Sequence, residues 1–241
     1  MPTYNEAGNI EDLILESVSS VKEFGIKDIE VIVVDDNSPD NTWDIAENTH
    51  CSDAIIRVIR RMEKPSLTNS INEGIREATK DVIVWLDCDF SHPPEKIPQL
   101  IFMLNQGYDV AVNSRYTIGA SEERVGKGGE LQLFLSRLLN WSVRFLLYPS
   151  FSDYTSGFVA VKRGVFNKMT LRGDYGEYFV DFIFRVLKKD KYKVCELPFN
   201  APPRRSGKSK TGETTFDYIR RGRKYIYTVF RLRWLSLIRK I

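Results

Sequence analysis

Two carboxylates separated by one residue follow an apolar run in the middle of the chain. Residues 82–86 have the composition of a buried strand, and Asp87 and Asp89 follow with Cys88 between them. Two like charges at the edge of a core repel each other and resist loss of water, so we expect a positive partner there. Two carboxylates at this spacing can both turn toward one hard cation, and Mg²⁺ and Mn²⁺ prefer oxygen ligands. The D-x-D pattern alone fits a pair of turn or helix-capping acids equally well.

The surrounding sequence predicts an α/β fold. Apolar strand patterns at 30–36, 54–60, 82–86 and 109–115 alternate with helical patterns at 41–50, 66–80 and 93–106. Such alternation is typical of βαβ units and of a mostly parallel sheet flanked by helices. Ligands of these sheets bind beyond the carboxyl ends of the strands. The charged residues at those ends are Asp35, Asp36, Asp87, Asp89 and Arg115.

The second half of the chain is less regular. It predicts helices at 130–148 and 175–190, strands leading to 163 and at 192–199, a loop from 200, and a helical, basic and aromatic final segment. Asp153 lies in a turn and is open to two interpretations, a turn cap or a lining of a binding site. Asp181 lies among apolar neighbours, which favour a buried ion pair slightly over a role in binding. His92, in an HPP turn, is interpreted as structural.

An ordered set of segments carries a resemblance to a known family. The segments are PTYNEAGNI (2–10), VVDDNSPDNTW (33–43), DCDFSHPPE (87–95), NSRY (113–116), SDYTSGF (152–158) and RRSGKSK (204–210). Together they resemble the inverting family 2 glycosyltransferases of the GT-A fold, among them the dolichol-phosphate mannose synthases and related polyprenyl-phosphate sugar synthases. The resemblance extends over essentially the whole chain. It implies a GT-A, Rossmann-like sheet with amphipathic interface helices at the C-terminal side.

The resemblance also implies a role for individual residues. The residues up to Asp89 would bind the nucleotide sugar. The D-x-D motif and Ser91 would bind a divalent cation, and three basic residues would bind the diphosphate. The implied nucleotide-sugar contacts are Pro2, Tyr4, Glu6, Val34, Asp36, Asp87, Cys88, Asp89, Arg115, Arg204 and Lys210, and the implied acceptor contacts are Asp153, Ser156 and Asp181. Asp89, Arg115, Arg204 and Lys210 would act on the reacting groups, and Asp87, Asp89 and Ser91 would ligate Mg²⁺ or Mn²⁺.

The activity implied is transfer of a hexose, with inversion, to a polyprenyl or dolichyl phosphate. Mannose from GDP-mannose is the expected donor. Three alternatives stay open: another donor such as UDP-glucose, a glycan hydroxyl as acceptor, or a non-catalytic module that binds phosphate.

Composition and charge bear on location and partners. Residues 202–241 carry twelve Lys or Arg against two acids, a net charge of +10, so the remaining residues carry 3 − 10 = −7. This asymmetry favours an anionic partner for the basic end, and with the expected lipid acceptor we interpret that partner as a membrane surface rather than a nucleic acid. Three scattered cysteines argue against a disulfide framework, and no stretch resembles a transmembrane helix. We therefore expect a peripheral protein on the cytoplasmic face of a membrane, with a possible anchoring subunit or domain.

The expected domains are a catalytic unit, residues 1–212, and a basic amphipathic tail, residues 213–241. Members of the resembled family carry an apolar strand before the PTYNE segment. Here Met1 directly precedes Pro2, so that strand is absent from the sequence as given.

Overall fold

The computed structural model describes residues 1–122, 129–188, 192–207 and 215–238. In these ranges the helices are α1 (Ile10–Glu23), α2 (Thr42–Asn48), α3 (Leu67–Glu77), α4 (Ile97–Asn105), α5 (Gly129–Leu146), α6 (Glu177–Lys188) and α7 (Thr215–Leu237). The strands are β1 (Pro2–Thr3), β2 (Glu30–Asp35), β3 (Ile55–Arg60), β4 (Val82–Trp85), β5 (Val110–Ser114), β6 (Ser121–Glu122), β7 (Val159–Lys162), β8 (Val194–Pro198) and β9 (Asn200–Ala201). The alternation predicted for the first half is confirmed.

The strands form two main sheets and a short pair. Strands β1, β2 and β3 are parallel, with β2 in the middle. The second sheet has the order β4-β7-β5-β8, in which β7 runs antiparallel to both of its neighbours and β8 runs parallel to β5. Strands β6 and β9 form a parallel pair. The expected α/β class is confirmed, and β7 is the antiparallel member of an otherwise parallel arrangement.

Helices cover both faces of the sheets because the strands are apolar on both sides. In β5, Val110 and Val112 belong to a core formed with α5, α6 and α7, whereas Ala111 belongs to a core formed with α1 and α4. This alternation follows from the two-residue repeat of a strand. Each fully buried large apolar side chain contributes roughly 1.5–3 kcal/mol by leaving water, so the two cores fix the strand ends where the site lies.

The basic C-terminal helix is packed onto the catalytic unit. Val229 and Leu232 of α7 are buried in the core shared with α6, and Arg231 donates to the carboxylate of Asp181. Thus α7, which belongs to the expected basic amphipathic tail, has a face buried against α6.

A cavity lies between the two main sheets, at the beginning of the chain. Its volume is about 90 Å³, and it is lined by Met1 and Pro2, by Ile32 and Val34 of β2, and by residues 82–85 of β4. Strand β1 pairs with β2 only through Pro2 and Thr3, and β4 pairs only with β7. In the described residues, the facing edges of β2 and β4 are therefore not joined.

The amino terminus of Met1 lies at this cavity and donates to the carbonyl oxygen of Ile32 at 2.8 Å. Burial lowers the pKa of this amino group, because the charged form loses its hydration. We propose that the expected first strand would occupy this cavity.

An N-terminal extension is expected to stabilise the protein. Six residues of alternating apolar pattern added before Met1 should pair with both strand edges and fill the cavity. Each kcal/mol gained should raise Tm by roughly 2–4 °C in a domain of this size, as measured by circular dichroism. A Gly/Ser extension of equal length is the matched control. Equal Tm values for the two extended proteins would contradict a strand in this cavity.

Candidate active site

The charged residues expected to act together converge at the carboxyl ends of four strands. Glu6 lies just after β1, Asp87 and Asp89 follow β4, and Arg115 follows β5. Arg204, from the loop after β9, reaches the same place, with its Nη2 2.6 Å from Oδ2 of Asp89 and its Nη1 3.6 Å from Oε1 of Glu6. The structure therefore assembles one cleft from residues distributed over 200 positions of sequence.

Local hydrogen bonds fix the D-x-D loop. The backbone N–H of Asp87 donates to Nδ1 of His92 at 2.9 Å, and His92 stacks on Phe158. The Oδ1 atom of Asp89 accepts from the backbone N–H and the hydroxyl of Ser91, at 2.9 and 2.6 Å. His92 is therefore structural, as expected. Ser91 was expected to ligate a cation, but the structure has its hydroxyl bonded to Asp89, an arrangement that orients the carboxylate.

The two aspartates have different electrostatic environments. Asp89 is only 4% exposed, and burial opposes its ionisation, but Arg204 and the Ser91 hydrogen bonds hold its pKa below the usual value. Asp87 is accessible from the cleft, yet the protein around it displaces much of its hydration, and this raises its pKa against the effects of His92, Arg204 and Arg115. The charge of Asp89 is thus compensated within the protein, whereas a cation from outside would favour ionisation of Asp87.

Arg115 is held by a buried carboxylate. Its Nε and Nη2 are 2.9 and 3.0 Å from the two oxygens of Asp153, and its backbone N–H donates to the same group at 3.0 Å. Asp153 is fully buried, and its own backbone N–H and that of Ser152 donate to Glu196. The Asp153 carboxylate therefore orients Arg115, and its expected contact with the acceptor stays a prediction.

Several other expected contacts lie inside the protein. The Val34 side chain is 1% exposed, and the Cys88 thiol donates to the carbonyl oxygen of Pro2. Asp36 bonds Arg61 and the hydroxyl of Ser70 through Oδ1, and the backbone N–H of Ser66 through Oδ2. The side chains of Val34, Cys88 and Asp36 are thus buried or bonded to protein groups, and their expected contacts with the nucleotide stay a prediction. Of the nucleotide segment, Glu6 lies beside Arg204, with Oε1 3.6 Å from its Nη1.

Two expected acceptor residues also have structural partners. The Ser156 hydroxyl donates to the carbonyl oxygen of Asn113, which ties the turn before β7 to β5. Asp181 is 1% exposed, and its two carboxylate oxygens pair with Arg185 and Arg231. The ion pair that its apolar neighbours favoured is what the structure shows. Lys210 lies outside the described residues.

The sequence analysis missed two arginines of this region. Arg61 forms the buried ion pair with Asp36, and Arg205 stacks its guanidinium on the ring of Phe90, 3.4 Å from the centroid. The sequence held a signal for Arg61, because it directly follows β3 next to the acidic end of β2. The sequence held no such signal for Arg205, because its partner Phe90 is distant in sequence.

Comparison with known proteins agrees with this geometry. Residues 1–170 match the family described as glycosyl transferase family 2. The chain belongs to glycosyl transferase family 2. It is 33% identical over 250 residues to a dolichol-phosphate mannosyltransferase of Pyrococcus furiosus, covering 100% of this chain and 65% of the relative. It is 31% identical over 217 residues to a polyprenol monophosphomannose synthase of Mycolicibacterium smegmatis, covering 87% of this chain and 78% of the relative.

Solved structures show the same fold. Glucosyl-3-phosphoglycerate synthase from Mycobacterium tuberculosis, in complex with Mn²⁺, uridine diphosphate glucose and phosphoglyceric acid, superposes with a TM-score of 0.68 at 18% identity. The match covers 96% of this chain and 77% of that one. The expected GT-A fold is thereby confirmed.

Asp153 is expected to make stability depend on pH. Burial alone would raise its pKa, but Arg115 and two backbone N–H groups hold the pKa below the usual value. A carboxyl group with a lowered folded-state pKa stabilises the protein above the unfolded-state value of about 3.9, and this contribution is lost as pH falls further toward the folded-state value. Asp153→Asn should therefore lower Tm at pH 7 and flatten its decline below about pH 4.

The measurement is Tm by circular dichroism across that pH range. Asp44→Asn, on the exposed side of α2, is the control and should keep the wild-type decline. If the Tm of Asp153→Asn falls in acid as steeply as that of the wild type, the ion pair of Asp153 with Arg115 is not the cause of the pH dependence.

Proposed function

We propose that this protein transfers a mannosyl group from GDP-mannose to a polyprenyl phosphate such as dolichyl phosphate, with inversion at the anomeric carbon. The observation that carries the proposal is the cleft in which Asp87, Asp89, Arg115 and Arg204 meet at the strand ends. The relatives named as dolichol-phosphate mannosyltransferases and polyprenol monophosphomannose synthase support the donor and acceptor classes. Because the chain spans 65% of the Pyrococcus furiosus relative, the complete activity is a proposal and not a transfer of its name.

The residues of the cleft fit a hard divalent cation. Asp87 and Asp89 offer carboxylate oxygens from one loop, and the guanidinium of Arg204 already lies on Asp89 where positive charge is favourable. In the described residues, no cluster of three or more His, Cys, Asp or Glu side chains could hold a metal. Mg²⁺ and Mn²⁺ suit such a site, since Mg²⁺ is commonly held by one or two carboxylates together with water and substrate phosphates. The bound cation would neutralise charge on the departing diphosphate.

The charges of the cleft match the bonds that must change. A phosphate oxygen of the acceptor would bond to the anomeric carbon while the bond from that carbon to the diphosphate breaks, and the bonding electrons leave with GDP. Arg204 and Arg115 would stabilise the leaving group most strongly in the transition state, where each such contact contributes roughly 3 kcal/mol. The acceptor phosphate is already an anion near neutral pH, so no strong general base is required of the protein.

The proposal is tested by a screen of donors and acceptors. Purified protein with Mg²⁺ or Mn²⁺ is given GDP-mannose or UDP-glucose, together with a polyprenyl phosphate or a glycan acceptor. We expect mannosyl-lipid formation from GDP-mannose to be the fastest reaction. Product only with UDP-glucose would overturn the donor, product only on the glycan would overturn the acceptor, and nucleotide binding with no product would favour the non-catalytic module.

Asp89→Ala is expected to reduce transfer by about 100-fold or more, because it removes the carboxylate that joins the loop, Arg204 and the cation. Transfer is measured with radiolabelled donor at saturating concentration, and folding by circular dichroism. Glu47→Ala, an exposed change on α2, is the control. Near-normal turnover by folded Asp89→Ala protein would contradict the assignment.

The acceptor class also requires contact with a lipid phase. Exposed apolar side chains recur on one face of α5, at Phe134, Leu138, Trp141 and Phe145, where they are between 47% and 75% exposed. These positions are spaced to lie along one side of a helix. Soluble surfaces seldom expose so many large apolar groups in a row, which suggests a binding surface.

Helix α7 adds a second face beside α5. Its exposed apolar residues are Ile226, Tyr227, Phe230, Trp234 and Leu237, and Arg223 and Arg233 are exposed among them. Aromatic and cationic residues together suit the headgroup region of an anionic bilayer, where each cation contributes about 1 kcal/mol. None of the helices in the described ranges is long and apolar enough to span a bilayer. We propose peripheral docking at the cytoplasmic face of a membrane through α5 and α7, with or without an anchoring subunit or domain.

Paired aromatic substitutions test this docking. Phe230→Ser with Trp234→Ser should abolish co-sedimentation with anionic liposomes and reduce transfer to long polyprenyl phosphates more than to short soluble analogues. Deleting α7 from residue 229 is less suitable, because Val229 and Leu232 are buried. Phe24→Ser with Phe102→Ser changes an exposed aromatic pair formed by the residue that follows α1 and a residue of α4, and is the matched control. Equal loss on both acceptors, or equal loss in the control, would contradict membrane docking through α7.

A further inference from the structure

Both carboxylate oxygens of Asp89 are engaged by groups of the protein. Oδ1 accepts the two hydrogen bonds from Ser91, and Oδ2 lies 2.6 Å from Nη2 of Arg204. The same guanidinium approaches Glu6, and the Asp89 carboxylate is almost completely buried. A cation that binds the D-x-D loop through Oδ2 must therefore displace Arg204.

The segment that carries Arg204 is attached at several independent points. The backbone N–H of Arg205 donates to the carbonyl oxygen of Asp89 at 2.9 Å, and the Arg205 guanidinium both stacks on Phe90 and pairs with Glu16 at 2.9 Å. The Asn9 side chain donates to the carbonyl oxygen of Ser206 at 3.4 Å. These contacts hold Arg204 over the D-x-D loop. Its ion pair with Asp89 is therefore positioned by the anchored backbone of the segment.

We propose that Arg204 occupies the position on Asp89 that the divalent cation requires, and that the donor diphosphate releases it. A diphosphate in the cleft would offer the guanidinium an anionic partner of equal or greater charge, so Arg204 can leave Asp89 without losing a charge-assisted hydrogen bond. The freed Oδ2 would then be available to hold the cation, whose charge would compensate both the carboxylate and the diphosphate.

Cation and nucleotide should therefore bind with strong mutual dependence. Without nucleotide, part of the binding free energy of the cation is used to separate Arg204 from Asp89. After nucleotide binding that separation has already occurred, so the cation binds more tightly. Because coupling between two ligands is reciprocal, the cation should raise nucleotide affinity by the same factor. This inference rests on the proposed function, since it concerns the same cation and donor.

The test measures Mn²⁺ binding directly, without turnover. Free Mn²⁺ is quantified by electron paramagnetic resonance in titrations of the full chain, alone and with saturating GDP, with UDP in parallel. The wild type should bind Mn²⁺ weakly alone and much more tightly with the nucleotide. Arg204→Gln should bind Mn²⁺ alone about ten-fold more tightly than the wild type, the factor that corresponds to about 1.4 kcal/mol, and should gain less from the nucleotide.

Two further variants separate the ion pair from general effects of charge. Arg205→Gln weakens the attachment of the segment and should change Mn²⁺ affinity in the same direction, by a smaller factor. Arg60→Gln removes an equal charge from an arginine that contacts Asn37 and the ring of Trp43, and its Mn²⁺ affinity should match the wild type. Circular dichroism confirms that each variant is folded.

The outcomes distinguish this inference from the proposed function. If no variant binds Mn²⁺ even with GDP or UDP, the cation site itself is wrong and the inference fails with it. If the wild type binds Mn²⁺ with nucleotide, but binds Mn²⁺ alone as tightly as Arg204→Gln does, the proposed function stands and the role of Arg204 is overturned. An equal gain in affinity in Arg60→Gln would likewise overturn it, because bulk charge would then explain the result.

Discussion

The arrangement of the site depends on compensating two carboxylates at the end of a buried strand. Asp87 and Asp89 are fixed by the D-x-D loop, and neither can move away from the other without breaking the bonds to His92 and Ser91. Like charges so placed require positive charge nearby. The protein supplies it from Arg204, which arrives from the far end of the sequence, and more distantly from Arg115. The remaining contacts of the cleft serve to keep these two guanidinium groups in place.

Backbone conformation contributes to that placement. Asn5 and Phe90 have positive φ angles of 56° and 66°. Asn5 lies between β1 and Glu6, and Phe90 directly follows Asp89. Asn tolerates this conformation, whereas for Phe it is uncommon and must be held by its surroundings. The guanidinium of Arg205 covers the Phe90 ring, and the backbone N–H of Arg205 bonds Asp89. The turn that aims Asp89 and the segment that carries Arg204 therefore stabilise each other.

The fold could be predicted from sequence because its information is local. Apolar periodicity identified β2 to β5 and the helices between them, and the rule for parallel sheets located the charged strand ends. The partners of those charged residues could not be predicted in the same way, because most of them are distant in sequence. The resemblance implied a ligand for Asp36, and the sequence left Asp153 and Asp181 open to either a ligand or a protein partner. Their carboxylates pair with Arg61, Arg115 and arginines of α6 and α7. A carboxylate looks the same in sequence whether its partner is a substrate or an arginine 50 residues away, so only the packed structure distinguishes these roles.

Helix α7 combines residues buried in the core with exposed aromatic residues on another side. Val229 and Leu232 point into the core, Arg231 pairs with the buried Asp181, and Phe230 and Trp234 are exposed on another side. Removing Arg231 would destabilise the folded protein, because part of the buried charge of Asp181 would then be uncompensated. The exposed aromatic residues are thus held by a helix that cannot slide or rotate independently of α6. In the docking proposed above, a surface attached in this way would set the height and tilt of the domain above the membrane. Under the proposed function, that orientation would also determine how far the phosphate of a lipid acceptor must rise to reach the cleft.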